Sequence, residues 1–208
     1  GKQFKNTTAT KKIFSLNQRI RAVSGGTWAS KTVSILIWII NYCQTLHEET
    51  VTIVAESFPH LDLGAIRDFK NILKSNGYWR DDFWNEGKHV YKFPKTHSMV
   101  EFVSFDKFGK AHGPRRDILF INEANNIPWN IADQLITRTR KIIWMDWNPS
   151  EEFWFYTEML PTRKDLDFIT LTYKDNEALD DIAKQEIEGH RENKAWWRVY
   201  GLGQLGEI

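Results

Sequence analysis

Residues 24–32 read Ser24-Gly25-Gly26-Thr27-Trp28-Ala29-Ser30-Lys31-Thr32, and no other part of the sequence says as much about its architecture. The segment lies between a short apolar run that favours a strand, Ile20–Ser24, and a strongly apolar helical run, Val33–Cys43. Phosphate-binding loops occupy this place and follow the pattern Gly, four residues, Gly-Lys-Ser/Thr. Ser30 stands where the second glycine is expected. The alternative is an ordinary strand–turn–helix corner with a chance lysine.

The residue types in this loop suit the chemistry of phosphate binding. Glycines let the backbone approach a phosphate closely and turn its N–H groups inward. The following helix presents free N–H groups and a positive dipole end to the anion. Lys31 would reach the β- and γ-phosphates, and the Thr32 hydroxyl would ligate Mg²⁺. We therefore expect the nucleotide to be bound by Gly25, Gly26, Thr27, Trp28, Ala29, Ser30, Lys31 and Thr32.

A second motif follows a short apolar run, Asp117–Ile121, which is typical of a strand in the middle of a parallel sheet. The run ends in Asn122 and Glu123, where an NTPase keeps its second acidic motif. There the last strand residue helps to hold Mg²⁺, and the next carboxylate can orient and deprotonate water. Asn122 and Glu123 could instead simply cap a buried strand. Both motifs in this order favour a P-loop NTPase.

Strand and helix patterns alternate along the chain, which indicates a mostly parallel α/β sheet. We expect a P-loop NTPase of the ASCE/RecA-like class, with a mostly parallel central β-sheet flanked by helices. Further strands are predicted at Val51–Ala55, Lys141–Asp146 and Phe168–Tyr173, with an antiparallel pair at His89–Phe93 and Met99–Phe105 and a weak strand or arm near Ile13–Leu16. Helices are predicted at Lys31–Leu46, Leu61–Ser75, Trp129–Arg138, Phe153–Leu160, Leu179–Glu188 and Glu192–Tyr200.

Composition limits the classes of function. The 208 residues suit one domain, and a net charge of +1 gives no global field that attracts nucleic acid, so DNA contacts must use local basic patches. The single cysteine, Cys43, cannot form an internal disulfide, which suits a reducing compartment. The longest apolar run is too short to span a bilayer, and no signal-peptide pattern is present.

Two other patterns are not interpreted as sites. Residues Gly201–Gly206 match the dinucleotide fingerprint G-x-G-x-x-G, but no helix pattern and no acidic residue at the required distance follow, so we expect a flexible exit segment. The pairs Asp81-Asp82 and Asp180-Asp181 could mimic a two-metal nuclease centre. Adjacent aspartates are more often solvated turns or helix starts, and we expect no nuclease activity from this chain.

From about Arg21 onward, the sequence resembles the ATPase domain of tailed-phage large terminases, the motors that pump double-stranded DNA into preformed capsids. The resemblance is carried by the loop, by Asn122-Glu123-Ala124-Asn125 and by Trp147-Asn148-Pro149-Ser150. It implies a motor domain over residues 1–200, with 201–208 beginning a linker to a C-terminal nuclease domain. It also implies ATP hydrolysis with Mg²⁺, and a homo-oligomeric ring on the procapsid. The implied partners are double-stranded DNA, the portal protein and the small terminase subunit, in the host cytoplasm, without a membrane and outside the mature virion.

The resemblance assigns roles by position. Lys31 and Glu123 would be catalytic, Thr32 and Asn122 would hold the metal, and Asn148 would match the motif that couples γ-phosphate state to movement. Asn122 replaces the usual aspartate, so the metal would depend more on Thr32 and the phosphates.

The family also uses arginines near the γ-phosphate. Thr27 stands where many terminases carry an arginine in the loop, so a charge-stabilising arginine would come from a neighbouring subunit. Arg116 is the first candidate and Arg115 the second, because both lie in or beside the glycine-rich loop before the Asn-Glu strand.

Two other functions remain open. A helicase-like P-loop ATPase would need a second motor domain, and no second set of motifs follows Asn148. A non-hydrolysing nucleotide-binding regulator would agree with Ser30, Thr27 and Asn122. It would have no use for a base at Glu123.

Overall fold

A computed structural model describes residues 6–106 and 116–206, and within them eight strands form a single sheet. The strands are β1 Ile20–Gly25, β2 Thr50–Ala55, β3 Trp84–Asn85, β4 Val90–Lys92, β5 Met99–Ser104, β6 Arg116–Ile121, β7 Thr139–Trp147 and β8 Leu166–Leu171. Their order across the sheet is β3-β4-β5-β2-β6-β7-β1-β8. The last six strands in this order run parallel, whereas β3 and β4 pair antiparallel at one edge.

Helices cover both faces of the sheet, so the predicted fold class is confirmed. They are α1 Thr8–Phe14, α2 Lys31–Thr45, α3 Phe58–Leu63, α4 Ala65–Ser75, α5 Trp129–Thr137, α6 Asp181–Glu188 and α7 Lys194–Trp196, with wider helical turns at Phe155–Met159 and Trp197–Gly201. One core cluster joins α1, α2 and α4 to the sheet, and the other joins α5 and the Phe155 turn. Strands β1 and β6 are buried at every position, because both faces of the sheet are covered.

The prediction of a strand or arm near Ile13–Leu16 was wrong, because this region belongs to α1. Ala9 and Ile13 are fully buried and lie four residues apart, on one side of a helix that packs against α2. The Thr7 hydroxyl caps the helix by accepting a hydrogen bond from the Thr10 N–H at 3.2 Å. Only two turns long, the helix gives too few apolar positions to show a clear period in the sequence.

The single helix predicted over Leu61–Ser75 is two helices that meet at Gly64. The first, α3, begins earlier than predicted because Ser57 caps it: its hydroxyl accepts from the His60 N–H at 3.3 Å. Proline in the first turn, where no N–H donor is required, suits this start.

The antiparallel pair predicted for residues 89–105 is confirmed as β4 and β5, and the two-residue strand β3 was missed. The segment 202–206 packs on the domain, whereas the sequence suggested a flexible exit segment. The Gly206 N–H donates to the Pro149 carbonyl at 2.8 Å, and Gly203 has a φ of 70°. No helix in the described part of the chain combines the length and the apolar character that a bilayer span needs.

Candidate nucleotide-binding site

The site lies at the carboxyl edge of the sheet, where ligands bind in open α/β folds. Strands β1, β6 and β7 are parallel and neighbouring, so the residues that follow them meet at this edge. These residues are the loop 26–30 after β1, Asn122 and Glu123 after β6, and Asn148 after β7. The two motifs predicted from the sequence are therefore brought together.

The loop keeps the backbone conformation expected of the phosphate-loop pattern, although Ser30 replaces the second glycine. Ser30 has φ 66° and ψ 23°, the left-handed conformation that glycine adopts without steric cost. At Gly25, a Cβ atom would lie only 2.6 Å from the Leu171 carbonyl oxygen of β8, so a side chain there would collide with backbone. The helix α2 then begins at Lys31, with its free N–H groups facing the loop.

Lys31 is buried, with only 8% of its surface exposed, and its ammonium is held at the end of β7. The Nζ atom donates to Asn148 Oδ1 at 3.1 Å. Burial lowers the pKa of Lys31, and the negative charges of Asp146 and Glu123 oppose this shift. The predicted phosphate-binding lysine and the predicted coupling asparagine are thus direct partners.

Asp146 is fully buried and links all parts of the site. One oxygen, Oδ2, accepts from the Thr32 hydroxyl at 2.6 Å. The other, Oδ1, accepts from the Glu123 N–H at 2.8 Å and from Asn122 Nδ2 at 3.1 Å. Sequence reasoning placed Asp146 in a strand and gave it no role. The sequence feature that could have indicated a role is the single carboxylate of Asp146 within the apolar run of β7. In the sheet, the preceding residue, Met145, pairs with Ile121.

Glu123 follows Asn122 with φ 52° and ψ 58°, so the chain turns sharply after β6. Its Oε2 atom lies 3.0 Å from His60 Nε2, and His60 Nδ1 lies 3.8 Å from Glu56 Oε2. His60 follows β2, which borders β6 on the side remote from β7 and β1. The carboxylate of Glu123 thus contacts His60 and also acts electrostatically on the Lys31 ammonium. No local sequence pattern pointed to His60.

The donor groups of this site fit a magnesium ion. Thr32 offers a hydroxyl, Asn122 an amide oxygen and Asp146 a carboxylate, all of them the hard oxygen ligands that Mg²⁺ prefers. The Thr32 hydroxyl uses its proton towards Asp146 and keeps its lone pairs for a cation.

Arg116 does not lie at the site, and its predicted role in a neighbouring active site is corrected. It begins β6, so six residue steps, about 20 Å of extended chain, separate it from Asn122 at the other end of the strand. It is 2% exposed, and its guanidinium donates to Thr52 Oγ1 at 3.0 Å and to the Leu135 carbonyl at 3.2 Å. The second candidate, Arg115, lies outside the described residues.

Several solved structures share this fold. The large terminase of a thermophilic bacteriophage matches with a TM-score of 0.81 and 18% identity, over 97% of this chain and 53% of that one. Structures of the same terminase in complex with ADP and with ATP-gamma-S match at 0.80 and 19% identity, over 96% and 53%. The ATPase domain of the Thermus phage P74-26 large terminase matches at 0.68 and 13% identity, over 93% and 91%.

This chain thus spans about half the length of the first of these terminases and nearly all of an isolated terminase ATPase domain. No curated protein sequence matches. The family model "Phage terminase large subunit" matches residues 17–204, which include every element of the site. This chain therefore belongs to the phage terminase large subunit family.

Proposed function

We propose that this chain is the ATP-hydrolysing motor domain of a phage large terminase, which drives double-stranded DNA into the procapsid. The observation that carries the proposal is the buried network at the edge of the sheet. It joins the phosphate loop, through Lys31 and Thr32, to the ends of β6 and β7 that carry Glu123 and Asn148. The nucleotide complexes of the thermophilic phage terminase support ATP as the ligand.

Each residue has a task in this proposal. The loop N–H groups and the amino end of α2 bind the phosphates, and the Lys31 ammonium contacts the β- and γ-phosphates. When bound, Mg²⁺ would be held by Thr32, Asn122 and Asp146 and would neutralise charge on the phosphates. Glu123 orients the attacking water and accepts its proton on a carboxylate oxygen. In the structure this carboxylate lies 3.0 Å from His60 Nε2.

Asn148 is the coupling residue of this proposal. Its side-chain oxygen accepts a hydrogen bond from Lys31 Nζ. A bound γ-phosphate competes for the same ammonium, so the two states of the nucleotide leave Asn148 with different partners. Since Asn148 begins the turn after β7, the change is passed to the backbone of that turn.

Family membership supports the assembly that we propose. The partners are double-stranded DNA, the portal protein and the small terminase subunit, in a homo-oligomeric ring on the procapsid in the host cytoplasm. The motor domain extends over residues 1–200, and 201–208 lead to a nuclease domain. A trans-acting arginine would have to come from a position other than Arg116.

Steady-state ATP hydrolysis, with and without double-stranded DNA, tests the catalytic assignment. Lys31→Ala should abolish hydrolysis and weaken ATP binding, because the cation at the β- and γ-phosphates is lost. Glu123→Gln should bind ATP normally, with hydrolysis reduced by roughly two orders of magnitude, the scale for loss of a general base.

Lys92→Ala is the matched control, because Lys92 is exposed on β4, three strands away from β6. It should behave as the wild type. Wild-type turnover in Lys31→Ala would contradict the loop assignment. Binding without any hydrolysis in the wild-type chain would instead identify a nucleotide-binding regulator.

A further inference from the structure

Position 122 leaves this site without the carboxylate expected at the end of β6, and a carboxylate from the next strand fills the gap. We infer that Asp146 is the metal-positioning acid of this protein, and that Asn122 and Asp146 together replace a single aspartate at the end of β6. This inference rests on the proposed function and names a residue that neither the sequence motifs nor family membership assigns.

Asp146 and Asn122 occupy matching positions on neighbouring strands. Met145 of β7 pairs with Ile121 of β6, so the next residues, Asp146 and Asn122, lie side by side on neighbouring strands. Asn122 Nδ2 donates to both oxygens of Asp146, at 3.1 and 3.3 Å. The negative charge has therefore moved by one strand, towards β1 and the phosphate loop.

Asp146 also contacts the helix that follows the phosphate loop, α2. Asp146 Oδ2 lies 2.6 Å from the Thr32 hydroxyl, the group that the phosphate-loop pattern assigns to the metal. A carboxylate against that hydroxyl is placed to bind the same cation, directly or through one of its waters. Mg²⁺ usually keeps several waters and takes one or two carboxylates, which agrees with a single buried acid here.

The charge of Asp146 is buried among neutral hydrogen-bond donors. Asp146 is fully buried, and the three groups that donate hydrogen bonds to it are neutral: a hydroxyl, an amide and a backbone N–H. The ammonium of Lys31, which acts on Asp146 through space, donates its hydrogen bond to Asn148. A buried carboxylate is costly without a cation, whereas an amide could link the same elements without charge. A buried carboxylate at position 146 is therefore what we expect of a site that binds a divalent cation.

The test measures binding of a fluorescent ATP analogue to the purified chain, with excess EDTA and across a Mg²⁺ titration. The wild type should bind more tightly as Mg²⁺ is added. In Asp146→Asn the Mg²⁺ needed for half of this effect should rise at least tenfold, while binding in EDTA stays within twofold of the wild type. Asp133→Asn, an exposed change on α5, is the control and should titrate as the wild type.

An exchange variant, Asn122→Asp combined with Asp146→Asn, swaps the two side chains, so that the pair again has one carboxylate and one amide. It should recover most of the Mg²⁺ dependence, since the two side chains are nearly isosteric and adjacent. A purely structural role for Asp146 would lower thermal stability in EDTA but leave the Mg²⁺ titration unchanged. An unchanged titration in Asp146→Asn would therefore overturn the inference, and so would an exchange variant that folds but does not respond to Mg²⁺.

A measurement on the wild type covers the case in which neither variant folds. Mn²⁺ replaces Mg²⁺ with the nucleotide, and aspartate is labelled with ¹³C at the side-chain carboxyl. Electron–nuclear double resonance should detect coupling between Mn²⁺ and a labelled carboxyl, and its absence would contradict the inference. Failure of the wild type to bind nucleotide at all would instead contradict the proposed function.

Discussion

Ser30 occupies a left-handed backbone conformation in the candidate phosphate loop, with φ 66°. A non-glycine residue loses about 1–2 kcal/mol in this conformation. Glycine avoids that cost but loses about 0.5–1 kcal/mol through the greater freedom of its unfolded chain. We therefore expect Ser30→Gly to raise the free energy of unfolding by up to about 1 kcal/mol, as measured by urea denaturation. Ser30→Ala removes the hydroxyl but keeps the Cβ atom, so it should show no such gain; equal gains in both variants would locate the effect in the hydroxyl.

The residues of the site differ in how far they could be predicted from the sequence. Lys31, Thr32 and Glu123 lie in local patterns whose spacing is fixed by a strand–loop–helix corner and a strand end, so the linear sequence is sufficient. Asp146 lies on β7 and His60 on α3, and both reach the site only through the order of the sheet. That order depends on pairing between strands that are distant in the sequence, and the local pattern of apolar and polar residues does not reveal which strands pair.

At the scale of elements, β6 carries two opposite roles at its two ends. Its carboxyl end leads to Asn122 and Glu123, whereas its amino end places Arg116 in the interior, between Thr52 of β2 and the Leu135 carbonyl of α5. The sequence showed a basic loop ahead of a catalytic strand and favoured a catalytic arginine there. It could not show that strand direction puts the arginine at the opposite edge of the sheet from the candidate nucleotide site.

Arg116→Ala should therefore destabilise the domain and leave catalysis intact. Removing two buried hydrogen bonds from a charged donor should cost roughly 2–4 kcal/mol in the free energy of unfolding, which chemical denaturation would measure. Turnover per folded molecule should stay at the wild-type value. Arg67→Ala, an exposed change on α4, is the control for stability. A loss of turnover in Arg116→Ala that is regained on mixing with inactive Glu123→Gln would restore Arg116 to the mechanism.

At the scale of the whole molecule, a short path connects the nucleotide site to the segment 202–206. Lys31 contacts Asn148, and the next residue, Pro149, accepts a hydrogen bond from the Gly206 N–H at 2.8 Å. The approach is close, because a Cβ atom on Gly206 would lie 2.1 Å from the Ser150 carbonyl oxygen. A change in the partner of Asn148 would thus act on the turn against which this segment packs.

We expect ATP-gamma-S binding to change the amide hydrogen exchange of residues 201–206 in the wild type, because a γ-phosphate draws Lys31 away from Asn148 and shifts the turn. Asn148→Ala should bind the nucleotide but lose this response, since the turn then has no partner on the loop helix. ADP is the matched control ligand and should produce a smaller change, because it offers Lys31 no γ-phosphate. An equal response in the wild type and in Asn148→Ala would show that nucleotide state reaches the segment by a route other than Asn148.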